Sequence, residues 1–437
     1  MGIKGLMPFI RENAPKAVTE TSQANYNGRV LAIDASTCLY QFMVAIRTGT
    51  GSDYQSLTNE RGETTSHLAG FMSRTLKLLE AGAKPVYVFD GKPPSLKSGE
   101  LANRKARKEQ AIEDYEKAKE DGDAEKMQKM ADRSVSVTKD MQEATKKLLR
   151  MMAIPVIEAP CEAEATCAHF SKTGVAFAAA TEDADALCFG ASKLIRNLFT
   201  TDPKKRPTLE VDLARLLEQL DIDMDKFIDF CILSGSDYTD TIQKVGSITA
   251  FQLIKNHKDI ETVLAQAVDK ARVPENFPYQ EARELFKRHE VTDVNAVDAA
   301  TGKKKCDFKD YFAKKPKPDT AGLLKFLVEE NQFSEERVKK QVEKLEKLLS
   351  QGMQVSFESF FTLEAPAIAS KDKFNPFKSK DGKKRRDVTA NLSKAAAPGG
   401  AAKKRKGALT ADKIEKKEQE DKENNSSNAA ALPSALG

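Results

Sequence analysis

Short apolar stretches recur along the first half of the chain, and helical patterns separate them. Four of these stretches lack the alternation of apolar and polar residues that a half-exposed strand shows; they are residues 30–33, 86–89, 155–157 and 177–180. Strands buried on both faces have this pattern, and helical crossovers between them are typical of parallel sheets. The pattern therefore predicts an α/β fold with a mostly parallel central sheet covered by helices.

The segment between the second and third predicted strands is helical in pattern and highly charged. It covers roughly residues 101–150, holds few large apolar residues and is interrupted by Asp-Gly-Asp at 121–123. A helix without an apolar stripe has no face to pack into a core. We therefore expect this segment to be a helical insertion that projects from the body.

Beyond residue 212 the apolar positions follow a helical period, in residues 212–233, 247–268, 320–330 and 334–350. Residues 292–320 include GKKKCDFKDYFAKKPKP and follow neither a helical nor a strand period. From residue 362 onward Lys, Ala, Ser and Asn dominate, which predicts a disordered tail.

Composition narrows the class of protein. The 437 residues are 40% hydrophobic and 31% charged, which is enough for a large core and, by length, for two domains. No apolar run approaches the roughly 20 residues of a membrane span, so we expect no membrane partner. The six cysteines form no CxxC pair, and we expect small buried residues in a reducing compartment.

The net charge of +5 is unevenly distributed along the chain. Residues 371–437 carry +8, which leaves −3 for the remaining residues. The body is therefore slightly acidic, and any affinity that it has for nucleic acid has to come from local basic patches.

Carboxylates follow the predicted strands. Seven acids lie where a strand or a later turn ends: Asp34, Asp90, Glu162, Glu164, Asp183, Asp185 and Asp237. The carboxyl ends of parallel strands share one edge of the sheet, so these acids should converge. Such crowding is unfavourable unless cations neutralise it. Oxygen ligands without His or Cys favour Mg²⁺ or Mn²⁺, and the surplus of carboxylates favours two ions, as in phosphoryl chemistry.

Each acid taken singly has a plainer explanation. A strand-end Asp usually caps a helix or closes a turn, which would explain Asp34 or Asp90 alone but not seven acids together. A haloacid-type phosphatase needs a second Asp two residues after the first, where this chain has Ser36. Residues two apart diverge on a regular helix, so the paired acids converge only from a loop or a first helical turn. Glu182 should then point elsewhere.

The sequence resembles the flap endonucleases, which are structure-specific 5′ nucleases of the XPG superfamily. The stretches that carry the resemblance are, in family order, MGIKGL, AIDAS, GETTSHL, KPVYVFDGKPPSLKSGELA, EAEA, AAATEDADAL, CILSGSDY and QFSEERV. The resemblance extends from residue 1 to about residue 361. It implies a PIN-like 5′ nuclease that hydrolyses phosphodiesters at the base of 5′ flaps, with 5′→3′ exonuclease activity, in Okazaki fragment processing and DNA repair.

The resemblance also implies how the chain is divided and what else it could do. The implied parts are an N-terminal nuclease half (1–107), a helical arch (91–150), an internal half with a helix–two-turn–helix (125–270), a C-terminal helical part (271–350), a clamp-binding motif (354–361) and the tail (362–437). We expect a monomer acting on branched DNA. The alternatives are a related nuclease preferring bubbles or nicks and a non-catalytic adaptor for branched DNA, although the seven acids argue against an adaptor.

Particular residues acquire roles from the resemblance. The seven acids would surround two Mg²⁺ ions, for which Mn²⁺ could substitute. Lys97 and Arg104 would contact the scissile phosphate, and Tyr40 would stack on a nucleotide. Without the resemblance, the two cations would be part of a solvated helix face and Tyr40 would be a packing residue. The implied DNA contacts are Gly2, Arg47, Arg74, Glu162, Gly235, Asp237 and Gly246.

One motif departs from the family pattern. The family usually has Gly-Ile-Gly-Pro-Lys-Arg-Ala after GSDY, where a helix–two-turn–helix holds a duplex phosphate with a K⁺ ion. Here Ile248 and Thr249 replace the Lys-Arg pair. We expect weaker duplex anchoring and a flatter salt dependence unless Lys244 or Lys255 compensates. Asn331 similarly replaces a commonly basic residue where the family holds a 3′ flap.

Residues 354–361 read QVSFESFF and fit the peptide that docks on the sliding clamp, proliferating cell nuclear antigen. The fixed positions are Gln354, Phe357, Phe360 and Phe361. An ordinary amphipathic stripe has the same spacing, but a site between the last helix and the tail favours clamp binding. KKRR at 383–386 and KKRK at 403–406 fit nuclear import signals. They predict a location in the nucleus (nucleoplasm and nucleolus) and leave a mitochondrial pool open.

Overall fold

Nine strands lie in the residues that the structure, a computed structural model, describes: 2–45, 47–48, 55–200, 202, 204–297, 304 and 306–350. They are β1 (Val18–Thr21), β2 (Val30–Asp34), β3 (Arg47–Thr48), β4 (Gln55–Ser56), β5 (Lys84–Phe89), β6 (Val156–Glu158), β7 (Ala178–Ala180), β8 (Lys193–Arg196) and β9 (Thr208–Asp212). Seven of them form one sheet in the order β1-β9-β8-β7-β2-β5-β6, while β3 pairs with β4.

The sheet is mostly parallel, as the sequence predicts. Strands β6, β5, β2, β7 and β8 run parallel, whereas β9 is antiparallel to β8 and to β1. The four predicted strands are β2, β5, β6 and β7, with small differences at their ends. The prediction that all four are buried is wrong for β6, which is only partly buried because it lies at the edge of the sheet. Strands β1, β8 and β9 were not predicted because polar residues interrupt or flank their apolar residues, as at Glu20 in β1.

Apolar side chains cover both faces of the sheet. On β2, Val30 and Ala32 join one hydrophobic cluster, and Leu31 and Ile33 join the other. This is the alternation of side-chain direction along a strand, with both directions buried. Two layers of helices therefore cover the sheet, and the predicted fold class is confirmed.

Sixteen α-helices are assigned in the described residues. Those before β9 are α1 (Leu6–Asn13), α2 (Ala35–Ala45), α3 (Ser66–Glu80), α4 (Ser98–Glu120), α5 (Ala124–Arg133), α6 (Lys139–Met151), α7 (Ala163–Lys172) and α8 (Asp185–Cys188). Those after β9 are α9 (Leu213–Leu220), α10 (Met224–Ser234), α11 (Ser247–Asn256), α12 (Ile260–Gln266), α13 (Tyr279–Lys287), α14 (Phe308–Ala313), α15 (Thr320–Leu324) and α16 (Glu335–Ser350). A π-helix, Lys325–Glu330, continues α15.

The charged insertion consists of α4 and α5, and it breaks at residues 121–123 as predicted. The two helices pack on each other and bury Ala111, Ala118, Met127 and Met130. The expectation that all of residues 101–150 project is wrong for α6. Its Leu148 and Leu149 have no exposed surface and belong to the core, because α6 carries an apolar stripe that the charge of the whole segment hides.

The segment with no clear period, residues 292–320, contains the short helix α14. Phe308 and Phe312 of α14 are buried, and Phe308 packs edge-on against Phe170 of α7. The Tyr311 hydroxyl donates to the Ala153 carbonyl at 3.2 Å.

Among the described residues, no helix has both the length and the apolar character for a membrane crossing. The predicted clamp motif and tail lie outside the described residues.

Candidate metal centre

The seven predicted acids come together at the carboxyl edge of the sheet. Six of them line one cavity: Asp34, Asp90, Glu162, Glu164, Asp183 and Asp237. The seventh, Asp185, directly adjoins Asp183 and Asp237. Strand ends β2, β5, β6 and β7 supply all except Asp237, which the turn after α10 supplies. The tertiary fold therefore gathers acids that are spread over two hundred residues of sequence.

The tightest group of acids is formed by Asp183, Asp185 and Asp237. One carboxylate oxygen of each lies within 4.8 Å of those of the other two. Asp185 Oδ1 accepts from the Ile3 N–H at 2.8 Å, but its Oδ2 is buried and accepts from no donor of the described residues. A buried anionic oxygen without a partner is costly. Three carboxylates around such an atom fit a hard divalent cation.

Asp34 and Asp90 also hold the backbone at the start of helices. Asp34 accepts from the Thr37 N–H at 3.0 Å, from the Thr37 hydroxyl and from the Thr181 hydroxyl at 2.8 Å. Asp90 accepts from the Ala163 N–H at 2.8 Å. The plainer explanation, an Asp that caps the next helix, is therefore correct for Asp34, whereas Asp90 holds the start of α7, 73 residues farther along the chain. Holding the start of a helix does not exclude either acid from the site, since both also line the cavity.

The paired acids converge because one member of each pair precedes a helix and the other begins it. Glu162 has extended backbone as the N-cap of α7, and Glu164 lies in its first turn. Asp183 lies in the loop before α8, and Asp185 is the first residue of that helix. Glu182 points away, accepting from the Asn197 N–H at 2.7 Å and pairing with Arg196 at 3.5 Å.

Lys97 lies among the carboxylates and offsets part of their charge. Its ammonium pairs with Glu162, lies 3.4 Å from Glu164 and lies 3.9 Å from Asp237. Burial by itself would lower the pKa of Lys97, but Glu164 and Glu162 raise it above its usual value. A lysine that remains charged inside this site reduces the repulsion among the acids.

Burial shifts the protonation of the acids themselves. Burial, with a smaller contribution from the charge of Asp90, raises the pKa of Asp34 to about 6. Burial raises the pKa of Asp185 well above its usual range, and the charge of Asp183 adds to this effect. Burial also raises the pKa of Glu164 strongly, although Lys97 opposes the shift. The protein alone therefore does not fully compensate these charges.

This electrostatic strain predicts how stability depends on pH. A carboxyl whose pKa is raised from 3.8 to about 6, as in Asp34, stabilises the fold below pH 4, and that stabilisation is lost as the pH rises through 6. Without divalent cations, the free energy of unfolding should therefore fall across this interval. Mg²⁺ should therefore raise the free energy of unfolding more at pH 8 than at pH 5. Urea unfolding with EDTA or Mg²⁺ at both pH values measures this; equal Mg²⁺ effects would contradict it.

The N-terminal residues pack directly against the acids. Gly2 has φ +74°, and a Cβ built there would overlap the Asp183 and Asp185 carboxylates. The Lys4 N–H donates to the Gly235 carbonyl at 3.0 Å, and the Lys4 ammonium donates to Thr241 at 2.7 Å. Gly235 has φ +110°, a conformation that favours glycine. These contacts hold the start of the chain beside the turn that carries Asp237.

Two further predicted residues join the site from the arch and from α2. Arg104 of α4 pairs with Asp237 and donates to Glu100 at 3.1 Å. Tyr40 of α2 is 39% exposed and lines the same cavity, and its hydroxyl donates to the Asp132 carbonyl at 3.2 Å. The ring of Tyr40 is therefore partly accessible from the cavity, and its stacking on a nucleotide stays a prediction.

Arg74, one of two arginines predicted to contact DNA, is not among the residues that line the cavity. Arg74 of α3 donates to the Phe199 carbonyl at 2.7 Å, and its guanidinium lies 5.0 Å from the centre of the Phe42 ring. Arg47 lies in β3, and its side chain is outside the described part of the chain. Their roles in DNA binding stay predictions.

The predicted helix–two-turn–helix region comprises α10, α11 and the turns between them, and residues 236–241 of these turns line the cavity. Gly246 is the N-cap of α11, and Ile248 is 45% exposed. Lys255 is bound to Asp221 at 2.7 Å and to the Leu220 carbonyl at 3.1 Å, whereas Lys244 is exposed. Lys255 is therefore already engaged, and Lys244 is the better candidate to compensate for the missing cations.

Sequence reasoning overlooked Tyr238, which follows Asp237. This side chain is 2% exposed, and its hydroxyl donates to Glu162. The sequence did contain a signal for this residue, because Tyr238 is the last residue of the GSDY stretch. The sequence pattern could not show its partner, however, since an aromatic residue in a turn usually packs against the core. Only the fold brings Tyr238 to Glu162, 76 residues away.

Comparison with known proteins places the chain in a family. Residues 1–111 match the XPG N-terminal domain and residues 153–237 match the XPG I-region. Flap endonuclease 1-A of Oryza sativa subsp. japonica is 46% identical over 364 residues, which cover 83% of this chain and 90% of the relative. Flap endonuclease 1 of Ajellomyces capsulatus (strain H143) is 48% identical, with coverages of 83% and 88%. The chain belongs to the flap endonuclease family. The family predicted from the sequence is therefore confirmed.

Solved structures agree with this family. Flap endonuclease-1 from Methanococcus jannaschii is 34% identical, with a TM-score of 0.56, and the match covers 76% of this chain and 96% of that one. The catalytic core of Rad2 in complex with DNA substrate is 23% identical, with a TM-score of 0.56, and the match covers 79% of this chain and 100% of that one. At that identity the second match supports the fold alone.

Proposed function

We propose that this chain is a structure-specific 5′ flap endonuclease with 5′→3′ exonuclease activity, dependent on Mg²⁺, that acts in DNA replication and repair. Membership of the flap endonuclease family supports a nuclease that acts on branched DNA. The observation that carries the Mg²⁺ part of the proposal is the meeting of seven carboxylates at one edge of the sheet, with an unpartnered Asp185 oxygen among them.

The residues of the site divide into ligands and cations. Asp183, Asp185 and Asp237 would hold one ion, and Asp34, Asp90, Glu162 and Glu164 complete the acidic wall for a second. When bound, two such ions supply an activated water and stabilise the leaving oxygen. Lys97 and Arg104 lie on the arch side of the acids, where they would offset negative charge that develops on a phosphate.

The arch gives the site a way to select single strands. Residues of α4 and α5 line the cavity together with the acids, among them the cations Arg104, Arg107, Lys108 and Arg133. A strand that reaches the acids through this cavity passes between the arch and the body, with its phosphates facing these cations. Such a passage would select by strand structure and would require no base-specific contact.

Cleavage of a double-flap DNA with and without Mg²⁺ tests the proposal. We expect a cut at the base of the 5′ flap with Mg²⁺, little cutting of matched bubble or nicked substrates, and no cutting in EDTA. Equal cutting of bubbles would favour the related nuclease. Tight binding of the flap without any cleavage at saturating Mg²⁺ or Mn²⁺ would favour the non-catalytic adaptor.

The clamp motif supports a second part of the proposal, a partner at the replication fork. Its positions Gln354, Phe357, Phe360 and Phe361 begin four residues after α16 ends at Ser350. Phe360→Ala together with Phe361→Ala should abolish stimulation by the sliding clamp, because the apolar plug is lost. Turnover without the clamp should be unchanged. Stimulation that persists in the double variant would return the motif to an ordinary helical stripe.

The proposal includes a location in the nucleus, which rests on two basic clusters of the tail. The basic clusters at 383–386 and 403–406 support import, and a mitochondrial pool remains a prediction. Imaging of a fluorescent fusion with and without both clusters tests this, and unchanged nuclear signal would refute it.

A K⁺ ion near Gly246 also stays a prediction, and a comparison of duplex affinity in K⁺ and in Na⁺ would test it.

A further inference from the structure

Tyr238 connects the metal centre to the helical half of the molecule. Its ring packs edge-on against Phe286 of α13, with 5.1 Å between the ring centres. The Lys97 ammonium lies 5.9 Å from the centre of the same ring. Tyr238 borders the cavity, but only 2% of its surface is exposed. Its hydroxyl is engaged by a neighbouring side chain, and its effect on the reaction passes mainly through that neighbour.

That neighbour is Glu162, whose two carboxylate oxygens are held by different elements. Lys97 donates to Oε1, and the Tyr238 hydroxyl donates to Oε2. The Tyr238 hydroxyl is the donor in this contact, because a carboxylate oxygen can only accept. The terminal torsion of a glutamate is broad and roughly two-fold. A lysine alone would therefore leave the plane of the carboxylate free to turn.

We propose that Tyr238 is a positioning residue, whose hydroxyl fixes the plane of the Glu162 carboxylate so that its remaining lone pairs face the metal. The inference rests on the proposed function, because it assumes that Glu162 is a ligand. Hydrogen bonds from a second layer of residues orient ligands, and their loss typically costs about 10- to 100-fold in metal affinity or activity.

Tyr238→Phe tests this, because it keeps the ring and removes only the hydroxyl. The matched control is Tyr87→Phe. Tyr87 is also fully buried, and its hydroxyl shares a 2.9 Å hydrogen bond with Thr75 in the core. Mn²⁺ binding to the DNA-free proteins, followed by electron paramagnetic resonance, should weaken about 10-fold for Tyr238→Phe alone. The Mg²⁺ concentration for half-maximal flap cleavage should rise similarly, and KM for flap DNA at saturating Mg²⁺ should stay the same.

Additivity separates positioning from general damage. If Tyr238 acts through Glu162, then Tyr238→Phe should add little to the loss of Mn²⁺ affinity in Glu162→Gln. Wild-type Mn²⁺ affinity in Tyr238→Phe, or equal weakening in Tyr87→Phe, would overturn the inference. So would a fully additive double variant. If the wild-type chain itself neither binds Mn²⁺ nor cuts flaps, the proposed function fails; if it does both while Tyr238→Phe is unaffected, only this inference fails.

Discussion

Asp185→Ala is expected to reduce flap cleavage by at least about 10³-fold. Metal ions in such sites contribute several kcal/mol to transition-state stabilisation, and each 1.36 kcal/mol is a factor of ten in rate. Asp185 belongs to the tightest carboxylate group and carries its unpartnered oxygen. Single-turnover cleavage of a double-flap substrate in Mg²⁺ measures the rate. Fluorescence anisotropy in Ca²⁺ should show that the variant still binds the flap.

The matched control is Glu182→Gln, which removes a carboxylate from the same turn. Glu182 points toward Asn197 and Arg196, away from the other acids. We expect its cleavage rate to stay within a few-fold of the wild-type rate, with an effect mainly on stability. Cleavage that survives in Asp185→Ala, or that is lost equally in both variants, would show that the assignment of the metal ligands is wrong.

Gly2→Ala should lower kcat by about 100-fold, the loss that a misplacement of about 1 Å in a catalytic group can produce. The added methyl group would overlap the Asp183 and Asp185 carboxylates, and the following Ile3 N–H already holds Asp185 at 2.8 Å. The N-terminal segment of the chain and the acids therefore have to separate. Cleavage rates across a Mg²⁺ titration measure the effect, which higher Mg²⁺ should only partly reverse.

Gly174→Ala separates this crowding from backbone strain. Gly174 also has φ +74°, but a Cβ built there meets no atom within 4 Å. Both substitutions put a side chain in a left-handed conformation, at a cost of about 1–2 kcal/mol. Gly174→Ala should therefore destabilise the fold slightly and leave cleavage intact. An equal loss of activity in the two variants would mean that strain, and not contact with the carboxylates, causes the effect.

Much of the fold was readable from local patterns. The strands β2, β5 and β7 come from continuous apolar runs and are almost wholly buried, whereas β6, also recognised from an apolar run, is only partly buried. Strands β1, β8 and β9 were not readable, since polar residues interrupt or flank their short apolar runs and β1 also depends on its partner β9 for hydrogen bonds. The prediction for helix α6 was wrong because its few apolar residues lie on one face of the helix, and the fold packs that face into the core.

The candidate site shows the same division. The sequence determined the kind of chemistry, because acids after buried strands have to share one edge of a parallel sheet and there favour cations. Only the tertiary structure decided which partners each acid has. Asp34 and Asp90 also hold helix starts, Lys97 enters the carboxylate group, and Tyr238 reaches Glu162. Periodicity and the residue that follows each apolar run are local properties of a chain, whereas hydrogen bonds between distant side chains exist only once packing has fixed their distances.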